Sequence, residues 1–499
     1  MQGVLEWINN AVEVVNSYLA DYVLIVLLVG VGLFFTIKTR FVQVRCFGQG
    51  FKNIFNKSTT NGKKEKGGMT SFQAFTTAVA GQVGTGNIVG ASAAVLIGGP
   101  GAIFWMWIIA FFGMATIYSE AVLAIKTRQI NPDGSIDGGP VYYIKRAFKG
   151  KFGKFLAGFF AFALVFALGF SGSMVQSNKI GATMNEATGV PTWVVGLVVC
   201  VLAFFVFIGG VKRLASVTEK LVPIMAILYI VCGLVIISLR ITVVPEAFAM
   251  IFRFAFTPNA IIGGGVASAI KMAISMGAKR GLFSNEAGMG STPHAHAQAI
   301  GKTPHEQGTI AMIGVFIDTF IVLTITALIL VITLYAGNGN VYAISQQALK
   351  EGVDVQTALE GAGYSDSTML SLGISSLFNS ANVGLKIGSI FVAVCMFFFA
   401  FSTIISWHLF GKLNFTYLFG KKSAIVYSLI AVVLIFLGSI LESSLVWGLT
   451  DLFNYLMVIP NAIALFALYK MVVEEVKAND KKRSYKKTPN QALKNTIEN

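Results

Sequence analysis

The chain has 499 residues, 55% of them hydrophobic and only 12% charged, with a mean hydropathy of +0.72. That balance excludes a soluble globular domain and a disordered chain, and fits a polytopic membrane protein. The net charge of +15 would suit nucleic acid, but all but six of the 38 Lys and Arg fall in alternate loops or in the tail, the positive-inside pattern of a membrane protein.

The six exceptions are Lys179, Arg240, Arg253, Lys271, Lys350 and Lys386. No Lys or Arg precedes Tyr22, so a cleavable signal with a basic start is not expected. Length and apolarity predict eleven spans. The first, about 18–37, has an acidic approach (Glu6, Glu13, Asp21) and a basic exit (Lys38, Arg40, Arg45, Lys52, Lys57, Lys63, Lys64, Lys66), which places the N-terminus outside.

The second span lies in the apolar run 69–99 and contains Ala80-Gly-Gln-Val-Gly-Thr-Gly-Asn-Ile-Val-Gly90. Glycines with Gln82, Thr85 and Asn87 at membrane depth predict a broken helix. Its opened N–H and C=O groups must then be met by protein, water or a solute. A zwitterion with a cation would satisfy both kinds of group. The spacing superficially matches a phosphate loop, but no strand precedes it. A glycine-rich packing face is the simpler alternative, and it leaves the three polar side chains unexplained.

The third span, 102–125, ends at Lys126 and Arg128 and is followed by a basic loop with turn signals at Asn131-Pro-Asp-Gly134 and Asp137-Gly-Gly-Pro140. Further spans are expected near 155–175, 192–211 and 221–239. A seventh starts at about Ile261, poor in Leu and expected to break at Ser275-Met276-Gly277-Ala278. Four more follow near 308–335, 385–409, 424–441 and 445–471. Segment 337–382 reads as the longest external loop, and the lysine-rich tail after Val476 as disordered. The two broken spans open successive groups of five with opposite topology, the pattern of an inverted-repeat secondary transporter. The cysteines show no metal or disulfide spacing.

Gly81-Gln-Val-Gly-Thr-Gly-Asn-Ile88 together with Arg280-Gly-Leu-Phe-Ser-Asn-Glu-Ala-Gly-Met-Gly-Ser291 resembles the alanine/glycine:cation symporters of bacteria and archaea, from about Phe41 to Tyr469. The resemblance implies an all-α membrane protein of about 11 transmembrane helices on a LeuT-type 5+5 inverted repeat. Residues 1–66 would form an extra helix and basic loop, 67–240 and 260–475 the two halves, and 476–499 a basic cytoplasmic tail. It implies import of alanine or glycine coupled to sodium, with a proton as the alternative ion, through a monomer in a prokaryotic cell membrane. It leaves the isomer of alanine open.

By the same resemblance, Gln82, Gly84, Thr85, Gly86, Asn87, Phe170, Ser275, Met276, Gly277 and Trp407 would bind substrate. The carboxylate would meet the half-helix N-terminus, a favourable place for an anion, and Trp407 would wall the side chain. Ala80, Val83, Phe399, Ser402 and Thr403 would supply five oxygens to sodium. Taken alone, Ser402 and Thr403 would fit hydroxyls bonded back into their own helix, and Trp407 an interfacial belt.

Ionisable residues at depth are functional candidates. Lys271 and Asp318 lie at similar depths and are expected to pair, with an outer vestibule for Lys271 as the alternative. Arg280 and Glu286 are expected on the inner pathway, and Glu120 as a snorkelling acid near Lys126. His294 and His296 fit loop or cap roles. No paired-carboxylate or Ser/His/Asp grouping points to an enzyme. A channel lined by broken helices is the second function class, and the inverted halves argue against it.

Overall fold

The computed structural model describes residues 2–55, 68–263, 265–378, 380–441 and 444–487. Lys57, Lys63, Lys64 and Lys66 of the expected basic loop lie outside the described residues. The chain is built almost entirely of helices. The principal ones, in order and leaving aside shorter connecting helices, are α1 (Trp7–Lys38), α2 (Ser71–Gln82), α3 (Gly86–Gly98), α4 (Gly101–Thr127), α5 (Gly150–Thr188), α6 (Thr192–Ile208), α7 (Gly210–Ser238), α8 (Val266–Asn285), α9 (Pro304–Leu334), α10 (Asn382–Phe419), α11 (Lys421–Ile440), α12 (Ser444–Ala467) and α13 (Tyr469–Lys487).

Among the described residues, eight helices are long and apolar enough to span a bilayer, nine if α2 and α3 form one span bent by 46°. Helix α6 is apolar but only 17 residues long. Helix α8 fails on composition, because Lys271, Lys279 and Arg280 lie within it. Every backbone group in hydrocarbon must be paired internally, which is why the chain takes helices. Helices α4 and α9 are enclosed by the rest of the bundle, whereas α7 turns Ile224, Ile227, Val231, Leu234 and Val235 outward.

Four stretches widen from α to π geometry: Leu19–Leu24, Gly86–Gly90, Val165–Gly172 and Phe316–Leu323. They carry Asp21, Asn87, Phe170 and Asp318. Such wide turns often sit at functional positions.

Three expectations about connections change. The turn signals after α4 make a small hairpin, β1 (Gln129–Ile130) against β2 (Ile136–Asp137), closed by a turn with Gly134 at φ 80°. Segment 337–382 is no open loop: it contains helices Asn340–Glu351, Val355–Gly361 and Met369–Ser375. The tail after Val476 continues as helix α13 to Lys487, bridged at Glu475 to Lys126 (2.9 Å) and at Asp480 to Arg45 (3.2 Å). Residues 488–499 lie outside the described residues.

The N-terminal helix is tied to α8. Asp21 accepts from the Ser275 hydroxyl at 2.5 Å and pairs with Lys271 at 3.3 Å and Lys279 at 3.2 Å. The Lys271 ammonium also stands 4.7 Å from the Tyr22 ring centre. The expected Lys271–Asp318 pair is therefore not formed. Lys271 is half-exposed and turned toward α1, while Asp318 is buried elsewhere.

Candidate functional site

Helix α2 starts with a capping box, Thr70 accepting from the Gln73 N–H and Gln73 accepting from the Thr70 N–H. It ends at Gln82 because Val83 is extended (φ −81°, ψ 93°). The Gly84 N–H, which would continue the ladder to the Ala80 carbonyl, is donated instead to Asn87 Oδ1 at 3.0 Å. The Ala80 carbonyl meets Thr403 Oγ1 of α10 at 2.9 Å, and the same hydroxyl lies 3.4 Å from the Val83 carbonyl and 3.0 Å from that of Phe399. Ser402 Oγ donates to the Phe399 carbonyl at 2.8 Å. Two hydroxyl protons thus face three carbonyl oxygens, a cluster with more acceptors than hydroxyl donors. Gly84 is obligatory for this approach, since a Cβ there would stand 2.4 Å from Thr403 Oγ1.

On the other side of the break, the Thr85 N–H donates to Gln176 Oε1 at 3.3 Å, and Gln176 Nε2 returns a bond to Thr85 Oγ1 at 3.0 Å. Asn87 Nδ2 donates to Asp318 Oδ1 at 2.7 Å, and the hydroxyls of Ser284 (3.0 Å) and Thr319 (2.9 Å) donate to Oδ2. Gly86 lets α3 lie on α8: a Cβ there would be 2.9 Å from Ser284 Cα. Gln82 Nε2 reaches across to the Asn285 carbonyl at 2.9 Å.

The second break is real but ten residues later than the sequence suggests. Helix α8 runs unbroken through Ser275, Met276 and Gly277. Gly277 is there for packing, since a Cβ would stand 2.8 Å from the Ala102 carbonyl and 2.7 Å from Trp105 Cβ. The trio is thus a helix-packing face bound to α1 and α4, and its expected opening toward substrate is not formed. The helix stops where Glu286 enters the left-handed region (φ 56°), followed by Gly288 (φ 92°) and Gly290 (φ 78°), conformations that favour glycine.

This second opening is held by acids. Glu120 accepts from the N–H of Gly288 (3.3 Å) and Gly290 (3.0 Å), and from Asn461 Nδ2 at 2.5 Å. Asn461 also donates to the Gly288 carbonyl at 2.9 Å and accepts from the Tyr143 hydroxyl. Glu120 is therefore fully buried, not a snorkelling acid. Glu286 accepts from Trp407 Nε1 and from the Ser291 hydroxyl (2.6 Å). The Trp407 ring packs edge-on against Phe283, and a Cβ on Gly172 would stand 2.6 Å from it.

Two further expectations shift. Phe170 packs on Phe166 and Tyr427. Arg280 lies 3.7 Å from Asp451 and lines a cleft with Asp366, at the end of the bundle that carries segment 337–382. His294 and His296 are buried and bonded to Asn414 and Gln307. Sequence reasoning missed Gln176, Ser284, Asn461 and Tyr143. The polar cluster Ser171-Gly-Ser-Met-Val-Gln-Ser177 inside an apolar span was the available signal for Gln176.

The sodium:alanine symporter family model matches residues 5–493 of this chain. The chain is 38% identical over 470 residues to the sodium/alanine symporter AgcS of Methanococcus maripaludis, covering 94% of this chain and 96% of that protein. It is 33% identical over 476 residues to the amino-acid carrier protein AlsT of Bacillus subtilis, covering 95% and 93%. A mutant manganese transporter of Eremococcus coleocola covers 81% of this chain and 94% of its own at 11% identity, with a TM-score of 0.37, too loose a likeness to carry an argument. A broken span with a carbonyl-rich gap, and a match that runs along nearly the whole chain, agree on one conclusion: this multi-pass membrane transporter belongs to the sodium:alanine symporter family.

Proposed function

We propose that the chain imports alanine, and glycine as the smaller alternative, by sodium symport with alternating access, the N-terminus outside and the C-terminus in the cytoplasm. The observation that carries this reading is the cluster at Thr403. Ala80, Val83 and Phe399 offer three carbonyls, and Ser402 and Thr403 two hydroxyls. Oxygen-only ligands of this kind suit a hard cation. Residues 67–240 and 260–475 would be the two inverted halves, with α1 as an addition outside them.

The substrate carboxylate would lie at the N-terminus of α3, on the N–H groups of Thr85 and Gly86 beside Gln176. The ammonium would go to Asp318 Oδ1 and Oδ2, where Asn87, Ser284 and Thr319 now donate. Asp318 takes the place in the substrate site expected of Ser275, Met276 and Gly277. Trp407 and Phe283 would bound the side chain and leave room for hydrogen or methyl.

A proton in place of sodium is the second reading. It is favoured by three fully buried carboxylates, Glu120, Glu286 and Asp318, none of which forms an ion pair among the described residues. Unpaired charge in such a place is costly, and protonation removes it.

The test is uptake of radiolabelled alanine by purified protein in liposomes under an inward sodium gradient. Saturable uptake that stops when choline replaces sodium supports the proposal. Uptake driven by a pH gradient alone would replace sodium by the proton, and non-saturable flux would point to a channel.

A further inference from the structure

One turn above the central cluster lies a second cleft, lined by Val89, Gly90, Ala93, Arg280, Asp366 and Trp447. Its position follows from the α3–α8 contact. Gly86 faces Ser284, beside Asp318, and a Cβ on Gly90 would stand 3.9 Å from Arg280 Cβ and Cδ. Gly86 to Gly90 and Ser284 to Arg280 are each one helical turn, about 5.4 Å. The cleft and the central cluster thus share the same two helices.

The chemistry of this cleft is that of an amino acid's complement. Arg280 has five donors, yet its Nε is buried without a hydrogen-bond partner and its nearest carboxylate, Asp451, is 3.7 Å away. The guanidinium stands 5.4 Å from the Trp447 ring centre, which holds it by cation–π contact without using a donor. Asp366 supplies the opposite sign. It is one-third exposed, with Lys179 at 3.4 Å and the Ser367 hydroxyl at 2.9 Å. Val89, Ala93 and the Trp447 indole line the same cleft with apolar surface.

We propose that this cleft is a second, shallower site for a small zwitterionic amino acid on its way to the central site, an inference that rests on the amino-acid substrate proposed above. The Arg280 guanidinium takes the carboxylate as a two-pronged donor, Asp366 takes the ammonium, and Ala93 and Trp447 flank the methyl group. Asp451 holds Arg280 between passages.

The experiment uses the full chain in liposomes and reads KM for alanine, maximal rate and sodium half-saturation separately. Arg280→Gln raises KM by about tenfold, the worth of one charge-assisted hydrogen bond, with maximal rate and sodium half-saturation within about twofold. Arg280→Lys, which keeps the charge and loses the fork, gives a smaller rise. Ala93→Phe fills the cleft without touching a charge and also raises KM. If both Arg280 variants lose maximal rate with KM unchanged, Arg280 only fastens α8 to α12 through Asp451, and the cleft site is overturned while the central site stands. A wild-type KM in Ala93→Phe overturns it as well. If the wild-type protein takes up no alanine, the substrate reading itself falls, and the cleft proposal with it.

Discussion

The two breaks at the centre of the bundle look alike in sequence, each a glycine-rich opening in a helix, but they are unbalanced in opposite directions. At the first, the N–H groups of Gly84 and Thr85 are met by Asn87 and Gln176, while the Ala80, Val83 and Phe399 carbonyls gather round the two hydroxyls of Ser402 and Thr403. At the second, the surplus is of N–H groups, and Glu120 absorbs it with both carboxylate oxygens while Asn461 closes the Gly288 carbonyl. A buried polar group without a partner costs about 1–3 kcal/mol. The first opening is therefore short of positive charge, which the proposed cation would supply from outside, and the second is completed by the protein's own anion. On that proposal one is a place for a ligand and the other a joint.

The contrast is most sharply broken at Gly84. Gly84→Ala drives a methyl group into Thr403 Oγ1, and overpacking of this kind costs about 3 kcal/mol. Sodium-driven alanine uptake is expected to fall about a hundredfold, and wild-type uptake would show that the two helices do not need their close approach. At the joint, Glu120→Ala strands two N–H groups and the Asn461 amide. It is expected to destabilise the protein by about 2 kcal/mol, read as a lower unfolding temperature in detergent, with Glu120→Gln losing less because one acceptor oxygen remains. Sodium half-saturation should not move in either variant. If it moves as much as in Thr403→Ala, the second break is a cation site too and the contrast is lost.

Thr403→Ala removes one oxygen and the proton that organises three others. It is expected to raise sodium half-saturation about tenfold, with Thr403→Ser close to wild type and Ser402→Ala between them. The smallest effect is expected at Trp407. Trp407→Ala opens the wall beside Phe283, so valine should begin to compete with alanine, and alanine itself should weaken about fivefold, or about 1 kcal/mol, the lower edge of what a methylene commands in an apolar pocket. An unchanged competition profile places the indole outside the pocket.

The first break was legible because its glycines and polar residues interrupt an otherwise apolar run, which leaves few structural alternatives. The second was misread because Ser275-Met276-Gly277-Ala278 carries the same composition signal for a different reason. Small residues also let helices approach, and Gly277 sits against Ala102 and Trp105. The true stop depends on backbone at positive φ in Glu286, Gly288 and Gly290, a property that glycine permits but does not announce. Depth counting placed Lys271 and Asp318 at one height and was silent about direction around the helix, so it paired residues on different faces. It also treated the first helix as a bystander, although Asp21 was the missing partner. Gln176 was hidden because the polar stretch at Ser171–Ser177 reads as the frayed end of a span, whereas the helix continues to Thr188.

Asp21 has a consequence for motion. Three groups of α8, the Ser275 hydroxyl and the ammonium groups of Lys271 and Lys279, converge on one carboxylate of α1. A tilt of α8 that keeps these contacts carries α1, a 32-residue helix, along with it. Drag on a rod in a film grows with the film's viscosity, so any turnover step that tilts α8 is damped by the bilayer. Its rate should rise with lipid fluidity.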